Sequence, residues 1–152
     1  RQNLAYHERN STQISDIKKG GYVLKDCEGI IDTIIIATGS EVQLAVEASK
    51  ELVRRNHNVR VVSMPSIDRY EQQDTSYQEA VLPSSVTARV AIEAGTSSGW
   101  SRYIGSQGHV IGIDTFGESA PSGAVFEHFG FDVANIISIV ESIIQNKKQL
   151  TN

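Results

Sequence analysis

Apolar residues along the chain follow two alternating spacings. Residues 31–37 hold the unbroken run Ile34-Ile35-Ile36-Ala37, preceded by Ile31 and Thr33. A mostly β-branched run of that length, bounded by turn residues, predicts a strand buried on both faces. Thr38-Gly39-Ser40 breaks it. From there Val42, Ala45, Val46, Ser49, Leu52 and Val53 recur at steps of three and four, which predicts a helix with one inward stripe. Ser40 and Gln43 stand at the spacing of a capping box, with Ser40 expected to accept from the Gln43 amide. Lys50, Arg54 and Arg55 gather near the far end, where cations suit the helix dipole. Asn56-His57-Asn58 ends the helix, and residues 59–64 return as a strand. This is a βαβ unit, whose crossover is expected to be right-handed.

The same alternation continues on either side. Tyr22-Val23-Leu24 is a short strand, closed by the turn Asp26-Cys27-Glu28-Gly29. Residues 67–82 are polar, with Tyr70, Tyr77, Val81 and Leu82 as anchors, and predict one or two short helices. Strands follow at 86–92 and 109–113, separated by a small-residue loop at 95–99 and a helical patch at 100–104. A loop over 115–121 leads to a short helix over 122–129. The last helix covers about 133–146, with Val133, Ile136, Ile137, Val140, Ile143 and Ile144 on one face. Strands alternating with helices over the whole length predict an α/β domain with a mainly parallel sheet. The first twenty residues, rich in Gln, Asn, Ser and Thr, show little apolar periodicity and read as a connecting segment.

Composition narrows the function classes. The chain has 152 residues, 39% of them hydrophobic, enough to sustain one core without staples. Fourteen Lys+Arg against 18 Asp+Glu give a net charge of −4, and no basic cluster exceeds a pair. A nucleic-acid surface or an anionic-membrane surface is therefore not expected. The single cysteine, Cys27, permits no internal disulfide, and its acidic neighbours should raise the thiol pKa rather than activate it. No Cys/His spacing resembles a zinc site. No apolar run is long enough to span a bilayer, and nothing at the start resembles a signal peptide, so a reducing, cytoplasmic setting is expected. Asn10-Ser11-Thr12 matches a glycosylation sequon, a chance match without a secretory signal. The chain opens on Arg1 and its only methionine is Met64, as expected of a piece of a longer polypeptide.

Candidate chemistry is sparse. Ala37-Thr38-Gly39-Ser40-Glu41 is a strand–glycine–helix junction, a form that often holds phosphate on free amides. It lacks the further glycines of a dinucleotide or P-loop fingerprint, and Glu41 already complements the dipole and would repel an anion. His7, His57, His109 and His128 sit beside no nucleophile pattern. Glu93 at a strand end reads as a polar anchor or, second, an acid, and Trp100 with Tyr103 as core or partner-facing aromatics. The loop Phe116-Gly117-Glu118-Ser119-Ala120-Pro121 lies where ligands bind in an open α/β sheet, yet a rigid packed loop explains it as well.

Taken in order, several of these stretches carry a resemblance. Arg1-Gln2-Asn3-Leu4, Lys19-Gly20-Gly21-Tyr22-Val23-Leu24, Ala37-Thr38-Gly39-Ser40-Glu41-Val42 and Arg60-Val61-Val62-Ser63-Met64-Pro65-Ser66 are four of them. Val81-Leu82-Pro83, the run from Val86 to Gly95, Phe116 to Pro121, and Phe126-Glu127-His128-Phe129-Gly130-Phe131 complete the series. The ordered set resembles the C-terminal third of the transketolase family.

The resemblance implies a three-layer fold: a five-stranded, mostly parallel mixed sheet with helices on both faces. It implies residues 1–20 as a connector from a preceding pyrimidine-binding domain and residues 21–152 as the C-terminal domain. It further implies a homodimeric parent that moves a two-carbon ketol unit between sugar phosphates. Thiamine diphosphate and a divalent metal, Mg2+ or Ca2+, would be held by the two other domains, with no cofactor expected on this chain alone. One site residue carries over: Arg1, the arginine of the Arg-Gln-Asn-Leu motif, which binds the substrate's terminal phosphate. A guanidinium offers phosphate a planar fork that lysine cannot reproduce. Two alternatives stand beside this: a free-standing anion- or nucleotide-binding module near Ser40 or the 116–121 loop, and the corresponding domain of another thiamine enzyme.

Overall fold

A computed structural model describes residues 6–114 and 129–150. The Arg1–Leu4 motif, the 116–121 loop, His128 and all but the last residue of the helix expected over 122–129 lie outside the described residues.

Five strands form one sheet in the order β1-β3-β2-β4-β5. They are β1 Tyr22–Lys25, β2 Thr33–Ala37, β3 Val59–Ser63, β4 Arg89–Ile92 and β5 His109–Ile111. β2 lies parallel between β3 and β4, pairing Ile35 with Val61 and with Val90, and β5 extends the parallel set beyond β4. β1 alone runs antiparallel, on the outer edge of β3, with a register shift between Val23 and Lys25. The sheet is thus mixed and mostly parallel.

Because side chains alternate along a strand, β2, β3 and β4 feed two separate cores. Ile35, Ala37, Val61, Val90 and Ile92 face one side. There they meet α2 (Glu41–Arg54) and the long C-terminal helix α6 (Val133–Leu150). Ile34, Ile36, Val62 and Ala91 face the other. That side is covered by the short helices α3 (Ile67–Glu71), α4 (Thr75–Val81) and α5 (Ser101–Ile104). This double burial is why the strand sequence is continuously apolar rather than alternating.

Two expectations are corrected. The connector contains a helix, α1 (Ser11–Asp16), followed by a 3-10 turn over Ile17–Lys19. Asn10 opens it with a reciprocal capping box: its side chain accepts from the Gln13 amide at 2.8 Å, and Gln13 Oε1 accepts from the Asn10 amide at 3.0 Å. Apolar periodicity missed α1 because it buries no residue at all. On α2, Val53 points to solvent at 54% exposure, whereas Glu41 and Ala48 are buried in its place.

Candidate functional site

In an open parallel sheet, ligands collect outside the carboxyl ends of the strands, where the strand order reverses. Here the chain runs from β2 to β3 on one side and returns to β4 on the other, so the reversal lies between β2 and β4. The loops leaving these ends hold Thr38-Gly39-Ser40, Ser63-Met64-Pro65 and Glu93-Ala94-Gly95. A cleft of about 290 Å³ opens beside them, lined by Gly39, Ser40, Gln43 and Ser63 and, from the connector, by His7 and Arg9.

The junction at Ser40 differs from the expected capping box. Ser40 is itself helical, and its side chain caps no amide. Its hydroxyl instead donates to Glu41 Oε1 at 2.6 Å. Glu41 is only 4% exposed, so a carboxylate is buried in the first turn of α2. It occupies the positive end of the helix dipole, where an anion would otherwise sit. On the connector wall, burial first, then the nearby cations of Arg9, Lys25 and Lys50, hold the His7 imidazole below its ordinary pKa. Arg9 donates to the Tyr22 hydroxyl at 2.7 Å and to the His7 carbonyl at 2.8 Å.

At the end of β4, Glu93 accepts a hydrogen bond from the indole N–H of Trp100. Trp100 is fully buried and meets Tyr103 edge-on, so Glu93 is a polar anchor and both aromatics belong to the core. Tyr103 donates to Glu71, which also pairs with Arg102 at 2.6 Å. Burial and the Glu71 hydrogen bond raise the Tyr103 pKa. His57 lies 3.7 Å from Glu141, a carboxylate already paired with Arg55, and His109 opens β5. Neither touches a nucleophile in the hydrogen bonds of the described residues. The Cys27 thiol is raised as expected, though burial contributes more than the neighbouring Asp26.

Arg1, the one site residue carried by the motif, lies outside the described residues. Sequence reasoning left His7 and Arg9 out of the strand-end cleft. The Asn10–Gln13 cap spacing was the signal for the helix α1 that follows Asn10. Among the described residues, no group of three or more His, Cys, Asp or Glu could hold a metal ion, and the helix terminus at the cleft carries a buried carboxylate.

Residues 20–132 match the family described as the transketolase-like TK C-terminal domain. The chain belongs to that family. Its curated relatives include Transketolase 1 of Vibrio parahaemolyticus, 54% identical over 144 residues, which cover 95% of this chain and 22% of the relative. The chain thus spans about a fifth of the length of the curated transketolases it matches. A Pichia stipitis transketolase solved with sedoheptulose 7-phosphate superposes with a TM-score of 0.85 at 33% identity, covering 97% of this chain and 21% of that one. A split-gene transketolase chain, described as an inactive β4 tetramer, superposes at 0.63 with 25% identity, covering 84% of this chain and 43% of that one. These relatives place the domain in a family of thiamine diphosphate enzymes, and they favour a transketolase C-terminal domain over a free-standing anion-binding module.

Proposed function

We propose that this chain serves as the C-terminal part of a cytoplasmic, homodimeric transketolase of the pentose phosphate pathway. The parent moves a two-carbon ketol unit from a ketose phosphate to an aldose phosphate. The observation that carries this reading is the 54% identity to a transketolase over 95% of the chain. Thiamine diphosphate, with Mg2+ or Ca2+, supplies the carbanion-stabilising chemistry and is held by the other domains of the chain. The role of this domain is to support those domains and their dimer, with residues 1–20 connecting to them and residues 21–152 forming the lobe itself. The inactive split-gene chain supports the view that such a lobe does not turn over substrate unaided.

Within the parent, Arg1 grips the terminal phosphate of the sugar through its guanidinium fork. Arg1→Ala in the full-length enzyme is expected to raise KM for phosphorylated substrates by roughly 10- to 150-fold. That range corresponds to about 1.5–3 kcal/mol for a charge-assisted contact. Non-phosphorylated substrates should be spared. Equal losses for both kinds would remove Arg1 from the site.

A further inference from the structure

A polar cavity opens at the end of the sheet opposite the strand-end cleft. Arg89 is the first residue of β4 and Gln107 stands two places before β5, so both lie at the amino ends of parallel strands. The cavity beside them measures about 350 Å³ and is lined by Ser84, Thr87, Arg89, Arg102, Ser106 and Gln107. Two guanidinium groups, three hydroxyls and an amide thus face one space, and no carboxylate is among the described residues that line it.

Arg89 organises this space. Its Nε donates to the Val86 carbonyl, its Nη2 to those of Leu82 and Pro83, and its Nη1 to that of Tyr103 at 2.7 Å. A guanidinium carries five N–H donors. These bonds leave one Nη1 hydrogen without an acceptor among the described residues. They also tie the loop before β4 to α5, so the two walls of the cavity are joined through Arg89. Gly108 fixes the second wall, since a Cβ there would lie 2.4 Å from the Ile104 carbonyl oxygen and 2.7 Å from that of Arg89. Burial works against the Arg89 charge and lowers its pKa. A half-buried cation held by carbonyl dipoles alone gains from an anion at close range.

Arg102 supplies a second charge on a largely exposed side chain. Its Nη1 pairs with Glu71 at 2.6 Å. Glu79 accepts from the amide and hydroxyl of Ser84 at 2.8 and 2.7 Å. Both acids line the neighbouring cavity, of about 220 Å³, and not this one.

We propose that Arg89 and Arg102, with Thr87, Ser106 and Gln107, form a binding site for a small oxyanion, phosphate or a phosphate monoester. Planar guanidinium forks match paired phosphate oxygens, and the hydroxyls and amide add neutral donors. The inference stands independently of the function proposed above.

The test follows the δ1-methyl resonance of Ile104, which lines the cavity, in the full-length protein labelled at isoleucine. Ile104→Val assigns that resonance by its loss. At constant ionic strength, inorganic phosphate is expected to shift it saturably with a Kd of roughly 1 mM, the scale of two charge-assisted contacts. Chloride alone should leave it in place. Arg102→Gln should weaken binding by about 10-fold or more, and Arg102→Lys should recover part of that loss. Glycerol 3-phosphate is the second probe. Tighter binding than phosphate supports a phosphorylated small molecule as the ligand, whereas equal or weaker binding supports free phosphate. Absence of a saturable shift with either anion, well above that Kd, overturns the proposal. So does a shift that Arg102→Gln leaves intact, because it would arise elsewhere in the protein.

Discussion

Trp100 shows how much one donor can hold at the residue scale. Its indole is fully buried and its N–H is the hydrogen bond given to Glu93 at the end of β4. Trp100→Phe leaves the carboxylate without that donor and removes ring volume, a cost of about 2–4 kcal/mol in urea unfolding. Glu93→Gln keeps an acceptor oxygen and should cost clearly less; equal costs would mean that packing alone matters. Arg89 makes a similar point with the opposite charge. Its guanidinium donates to the carbonyls of Leu82, Pro83, Val86 and Tyr103, and it forms no ion pair among the described residues. Lysine cannot span four acceptors from one nitrogen, so Arg89→Lys is expected to lose about 1–3 kcal/mol on the same measurement. Two tyrosines set an alkaline limit. Burial pushes Tyr70 and Tyr77 up from the ordinary 10 to about 12. Between those values the folded protein binds more protons than the unfolded chain, so stability falls with rising pH. Their contribution is complete below pH 10 and is lost as pH passes about 12. A thermal midpoint that stays flat across that interval would contradict it.

At the scale of elements, periodicity was legible wherever a segment buries an apolar face. β2, β3, α2 and α6 are all visible in the spacing of Ile, Val, Leu and Ala, because each is decided by burial. α1 was not, since it buries nothing and its cap is written in two polar residues, Asn10 and Gln13. Ser40 misled for a related reason: the serine–glutamine spacing allows a capping box, but Glu41 lies nearer and accepts the hydroxyl's hydrogen bond. The junction between connector and sheet is equally invisible to periodicity. It depends on Gly20, whose φ of +91° and close approach to the Ser66 carbonyl exclude a side chain. Gly20→Ala should cost more than the roughly 1–2 kcal/mol of left-handed backbone alone, read as a lowered urea midpoint. A loss within that range would mean that α3 shifts to make room and only the backbone cost remains.

For the whole molecule, the sheet order and the two cores follow from alternating β-branched strands and amphipathic helices. The candidate site does not follow in the same way. Its proposed chemistry rests on an ordered series of motifs, and the residue proposed to grip the phosphate, Arg1, belongs to the first of them. What the domain itself supplies is the edge strand β1, to which Arg9 of the connector is hydrogen-bonded through the Tyr22 hydroxyl. The cleft at the strand ends has a buried carboxylate where a phosphate site would have free amides. On the function proposed above, such a lobe holds and orients, with the reacting groups elsewhere. Calorimetric titration of the isolated chain with thiamine diphosphate and Mg2+, paired with a ketol-transfer assay against the full-length enzyme, tests this most directly. No binding tighter than about millimolar and no turnover by the chain alone are expected. Micromolar cofactor binding, or transfer from a ketose phosphate by the isolated chain, would contradict it.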